Sequence, residues 1–133
     1  RSFDPRVRDA IEARMAELDD GVAKTFGVKA ELIYRRGYPA TINTAPEAQI
    51  AAAAAQDIVG SEAVHRNPPP TMGAEDFAYM LHATPGCYVW LGSGKEGENP
   101  GLHHPRFDFN DRVLPIGAAY WSRLVENRLS PSS

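Results

Sequence analysis

An α/β architecture is what this sequence predicts, and three observations carry that expectation. An amphipathic helix is followed at once by a segment that alternates like a strand. A short segment apolar on both faces, Cys87 to Leu91, reads as a strand buried in a sheet. Three further helices, one rich in alanine, accompany it. Helices alternating with strands and packed on a sheet are the usual outcome of such a pattern.

The first helix opens at Asp4-Pro5, an acceptor side chain in the capping position followed by a proline where the missing N–H does no harm. Val7, Ile11, Met15, Leu18, Val22 and Phe26 recur every three or four residues on one stripe, and Gly27 ends it. Lys29 to Arg35 then alternates, with Ala30, Leu32 and Tyr34 on one face and Glu31, Ile33 and Arg35 on the other. One helix and one strand cannot bury these faces alone, so further strands are expected. Gly37 to Asn43 is a connection, and a domain boundary is placed there, with residues 1–38 on one side and 39–133 on the other.

Thr44 and Glu47 have the spacing of a capping box for a second helix that runs through Ala51 to Ala55 and ends at Gly60. Its small side chains suit close packing. Thr71 to Leu81 starts with a glycine turn and continues as a short helix, with Glu75 and Asp76 in the first turn where carboxylates are favoured. That placement explains both acids without any chemistry; the alternative is that the N–H groups of Gly73 and Ala74 hold a ligand oxygen. Asp111 is expected to cap the last helix, whose inward stripe is Val113, Ile116, Tyr120 and Leu124.

The candidate chemistry lies between strand and last helix, from Gly92 to Asp111, where glycines lead into His103, His104, Asp108 and Asp111. Imidazole is a common ligand of zinc-like ions, so the stretch is a candidate metal loop. Adjacent histidines in a polar loop are equally what a solvated turn contains, and residue types alone do not separate the two. Beyond the carboxyl end of a strand, a loop is at least well placed for function.

Composition narrows the classes. With 133 residues, 43% of them hydrophobic, and a net charge of -3, the chain has a core to bury and no basic stripe for nucleic acid. No apolar run approaches the roughly 18 residues of a membrane span, so a soluble segment is expected. Cys87 is the single cysteine, which excludes an internal disulfide and fits a reducing compartment such as the cytoplasm. Arg1 is not a translation start, so a longer parent chain is expected.

Four motifs in order, Gly37-Tyr38-Pro39-Ala40-Thr41-Ile42-Asn43, Met72-Gly73-Ala74-Glu75-Asp76-Phe77, Pro85-Gly86-Cys87-Tyr88 and Leu102 to Asp111, together resemble one family. The resemblance is to the C-terminal part of metal-dependent amidohydrolases such as hippurate hydrolase, indole-acetyl-amino-acid hydrolases and aminobenzoyl-glutamate hydrolase, relatives of aminoacylase and carboxypeptidase G. It covers about Arg1 to Leu129.

The resemblance implies a catalytic α/β domain holding two divalent ions (zinc, manganese, cobalt or nickel) and a smaller two-layer lid used for dimerisation. Residues 1–38 would be the second half of that lid. Residues 39–133 would be the C-terminal part of the catalytic domain. The family's Leu-His-x-Pro motif falls on Leu102 to Pro105, which makes His103 the implied metal ligand and leaves His104 in the variable position. On an extended segment neighbouring side chains point opposite ways, which fits one ligand rather than two. Asn43, Gly73, Ala74 and Glu75 are the implied substrate-side residues, and Asp108 and Asp111 are read as orienting or capping groups.

The other ligands and the general-base glutamate of such enzymes come from segments absent here, and the chain contains no Glu-Glu pair. A zinc-type hydrolase needs at least three protein ligands and a water-activating base. The chain alone is therefore expected to be inactive, with the N-terminal part of the same polypeptide and a small N-acyl or N-aroyl amino acid as its partners. A carboxypeptidase or desuccinylase of the same superfamily, a non-catalytic binding or dimerisation module, and a self-contained site built from His103, His104 and nearby carboxylates are the rival readings.

Overall fold

The computed structural model describes residues 2–95, 97 and 99–129, and four α-helices and two short 3-10 turns make up the regular structure among them. Helix α1 spans Pro5–Phe26, α2 Ala45–Val59, α3 Phe77–Ala83 and α4 Leu114–Leu129. The chain divides into two compact units, Arg1–Ile42 with Pro69–Pro85, and Asn43–Pro68 with Gly86–Ser133.

In the first unit, α1 begins and ends where its punctuation dictates. Asp4 accepts from the Arg6 N–H at 2.8 Å, and Gly27 adopts the left-handed conformation. Gly27 then donates to the Lys24 carbonyl at 3.3 Å and Val28 to the Ala23 carbonyl at 3.0 Å, which closes the last turn as a Schellman motif. The following segment runs back along the helix without a turn or bend. Leu32 shares a shallow groove with Met15, Leu18 and Val22; Arg36 pairs with Glu12 and, at 2.6 Å, with Asp9; Arg8 donates to the Tyr38 carbonyl at 2.9 Å. Tyr38 also meets Tyr79 of α3 edge-on, ring centroids 5.7 Å apart.

The alternation read in residues 29–35 survives in part as burial: Leu32 and Tyr34 are half-buried while Glu31, Ile33 and Arg35 are exposed, but Ala30, expected on the inward face, is exposed too. The strands themselves do not form. Neither 29–35 nor 87–91 is a strand among the described residues, because a strand exists only where a second segment supplies the ladder and none of those described does so. The α1 stripe is likewise left mostly in water among the described residues, from 40% exposed at Ile11 to 74% at Phe26. Ala23 is the one buried residue of that helix.

The second unit is built on α2 packed against α4. Ala51 and Ala54 are buried in α2, as its small side chains lead one to expect, and Val113 is buried just before α4. Ile116, Tyr120 and Leu124 of the expected stripe are half-buried, whereas Leu114, Trp121, Val125 and Leu129 remain exposed. Gly117 lets Leu91 approach α4; a Cβ there would meet Leu91 Cδ2 at 3.4 Å.

Two caps differ from expectation. Asn110, not Asp111, opens the last helical region, accepting from the Arg112 N–H at 3.2 Å, because a 3-10 turn at Asp111–Val113 starts the region one residue early. At α2 the Thr44 hydroxyl makes no cap bond to the backbone; it lies 2.5 Å from the Glu47 carboxylate instead. Glu75 and Asp76 precede α3 rather than forming its first turn, and Glu75 accepts from the Phe77 N–H at 3.1 Å.

Candidate functional site

The histidine loop is tied at its base by side chains from both ends. Asn110 Nδ2 donates to the Gly94 carbonyl at 3.1 Å, and Lys95 Nζ lies 2.5 Å from Asp108. Inside the loop, Asn99 accepts from the Lys95 N–H at 2.7 Å and donates back to the carbonyls of Lys95 and Gly97. None of these clamps was read from the sequence. Asparagine after a glycine run was the available signal, since its short amide readily closes turns on nearby backbone.

The histidines themselves lie on two successive turns. His104 donates its N–H to the Gly101 carbonyl at 3.1 Å, and Phe107 donates to the His104 carbonyl at 2.9 Å. His103, third residue of the first turn, has φ 68, the left-handed region that turns of this kind require there and that glycine or asparagine usually supplies. The extended course expected for these residues is therefore replaced by turns. Holding a histidine in that region costs roughly 1 kcal/mol or more.

His104 is engaged locally. Its Nδ1 accepts from the Arg106 N–H at 3.0 Å, so in the neutral ring the proton resides on Nε2. A metal takes a lone pair, and for His104 neither nitrogen offers one without breaking this bond or losing the Nε2 proton. Both imidazoles are exposed.

Of the substrate-side candidates, Gly73, Ala74 and Glu75 belong to the first unit and Asn43 to the second, which also holds the metal-ligand candidate His103. Gly73 is not held by sterics, since a Cβ there would meet Thr71 Oγ1 at an ordinary 3.6 Å. Asn43 spends its carboxamide on Tyr88, donating to the carbonyl at 2.9 Å and accepting from the N–H at 2.8 Å. Nearby, burial first and the Glu47 charge second push the Cys87 thiol pKa up, and burial does the same for the Tyr120 phenol.

Residues 4–127 match the family described as Peptidase family M20/M25/M40. The chain belongs to that family. Among its M20 relatives, a putative amidohydrolase YhaA of Bacillus subtilis is 34% identical over 89% of this chain and 30% of its own length. An N-acetylcysteine deacetylase of the same organism is 30% identical over 94% and 31%. Hippurate hydrolase of Campylobacter jejuni is 26% identical over 94% and 32%. The chain spans 28% to 34% of the length of M20 relatives of this kind. No solved structure matches.

M20 enzymes are generally metal-dependent. Among the described residues no group of three or more His, Cys, Asp or Glu is arranged to hold an ion. These residues alone therefore do not fit a complete metal centre, for which three protein ligands are the minimum.

Proposed function

We propose that this chain is the C-terminal part of a metal-dependent amidohydrolase that cleaves N-acyl or N-aroyl amino-acid amide bonds, and that it is inactive without the rest of the polypeptide. The family match over residues 4–127 carries the reading, together with relatives named as an amidohydrolase, a deacetylase and a hippurate hydrolase. His103 supplies one ligand of a two-ion centre whose remaining donors, and whose general-base glutamate, come from outside this sequence. Support for His103 over its neighbour comes from the Nδ1 bond that occupies His104. The backbone N–H groups of Gly73 and Ala74, with Glu75, face the substrate.

Residues 1–38 belong to a lid through which two copies associate, and 39–133 to an α/β catalytic domain. The apolar stripe that α1 leaves in water, and the segments 29–35 and 87–91, which form no strand among the described residues, support this: they are what strands and helices from the other two thirds of the protein would cover. Among the described residues no helix is long and apolar enough to cross a membrane, and a single cysteine fits the reducing cytoplasm, where we place the enzyme. The family's peptidase description favours a carboxypeptidase-like sibling as the second reading.

The test is hydrolysis by the intact protein of a panel of N-acetyl, N-benzoyl and dipeptide substrates, before and after chelation. Release of amino acid from the N-acyl members that chelator abolishes is the expected result. Turnover of dipeptides alone favours the sibling, and turnover that survives complete removal of metal overturns the proposal.

A further inference from the structure

Asn43 and Thr44 together satisfy four backbone groups of the segment that leads to the histidine loop. Asn43 exchanges two hydrogen bonds with Tyr88, at 2.9 Å to its carbonyl and 2.8 Å from its N–H. Thr44 does the same with Gly86: its own N–H donates to the Gly86 carbonyl at 3.0 Å, and the Gly86 N–H donates to its hydroxyl oxygen at 2.9 Å. In an antiparallel ladder one residue of a neighbouring strand makes this two-way exchange with its opposite number. Here a carboxamide does it for Tyr88, and a backbone N–H with a hydroxyl does it for Gly86. The segment from Pro85 through Leu91 contains no turn or bend. In such a chain residues two apart present their N–H and C=O to the same edge, so Gly86 and Tyr88 share the edge that Asn43 and Thr44 close, and Cys87 and Val89 present theirs to the other.

We infer that Asn43 is a positioning residue: with Thr44 it stands in for a neighbouring strand on one edge of residues 86–88, sets the course of the segment that enters the histidine loop, and leaves only the Cys87 and Val89 edge there for a strand to pair with. This role is distinct from the substrate contact that the resemblance implies for Asn43. Tyr88 engages one N–H and one lone pair of its carboxamide and so fixes its orientation. The inference does not depend on the hydrolase reading, because its readout is backbone exchange rather than turnover.

Amide hydrogen exchange of the intact protein tests it. Asn43→Ala lowers the protection of the Tyr88 N–H about tenfold, the worth of one good hydrogen bond, while the α2 and α4 amides keep theirs. Asn43→Asp retains the acceptor but sets a carboxylate against the Tyr88 carbonyl; its Tyr88 protection is low near neutral pH and recovers as the acid is protonated, at around pH 4. Neither the native protein nor Asn43→Ala shows that titration. Should both Asn43 variants fail to fold, Thr44→Val decides: Gly86 protection falls and Tyr88 protection holds. Unchanged Tyr88 exchange in folded Asn43→Ala and Asn43→Asp overturns the inference, as does unchanged Gly86 exchange in Thr44→Val. A raised KM in Asn43→Ala with Tyr88 still protected overturns it in favour of substrate contact.

Discussion

The Arg106 N–H donates to Nδ1 of His104 at 3.0 Å, so the second histidine of the pair serves its own turn. A side chain at the first position of a turn that accepts from the N–H two residues on is the role asparagine and aspartate usually play. His104→Asn therefore preserves the turn and His104→Ala opens it, the second at a cost of about 0.5–1.5 kcal/mol to the loop. Exchange of the Arg106 amide measures this: near-native in the first variant, faster in the second.

The two ties at the base of the loop are unequal. Asp108 is 76% exposed, so its pairing with Lys95 is a surface ion pair contributing less than about 1 kcal/mol, and Asp108→Asn should hardly move the denaturation midpoint. Asn110 both donates to Gly94 and caps the turn at Asp111–Val113. Asn110→Ala loses both, with an expected destabilisation of about 1–2 kcal/mol in urea unfolding.

Cys87 should react slowly. Its thiol pKa is raised by burial and secondarily by Glu47, so at neutral pH it is protonated and a poor nucleophile. Alkylation by iodoacetamide is expected to be slower than for free cysteine under native conditions. Glu47→Gln speeds it only modestly, because burial is the larger cause; a rate equal to that of the free amino acid would contradict the placement.

Acid should loosen the start of α2. The Thr44 hydroxyl, 2.5 Å from the carboxylate, holds the Glu47 pKa below its ordinary 4.5, with a lesser backbone contribution. A depressed folded-state value means the contact stabilises fully above the unfolded value and is lost as pH falls through the folded one. The loss therefore falls below about pH 4.5. Thermal unfolding between pH 6 and 3 should show a steeper decline for the native protein than for Glu47→Gln.

Local signals were legible because their causes are local. Asp4-Pro5 and Gly27 bound α1 as read, since cap and stop involve only adjacent backbone. The alternation of Leu32 and Tyr34 was legible too, but no strand forms there, because pairing depends on a partner that none of the described residues supplies. At the last helix the cap shifted from Asp111 to Asn110, as both residues can accept and the 3-10 start decides between them. Asn43 illustrates the deeper limit: its partner is 45 residues away, and no spacing rule connects them.

Metal titration of the intact apoprotein, comparing His103→Ala with His104→Ala, tests the central claim most directly. The account predicts that His103→Ala loses high-affinity binding of one zinc or manganese equivalent while His104→Ala binds like the native protein. Full stoichiometry in His103→Ala, or loss in His104→Ala alone, would contradict it.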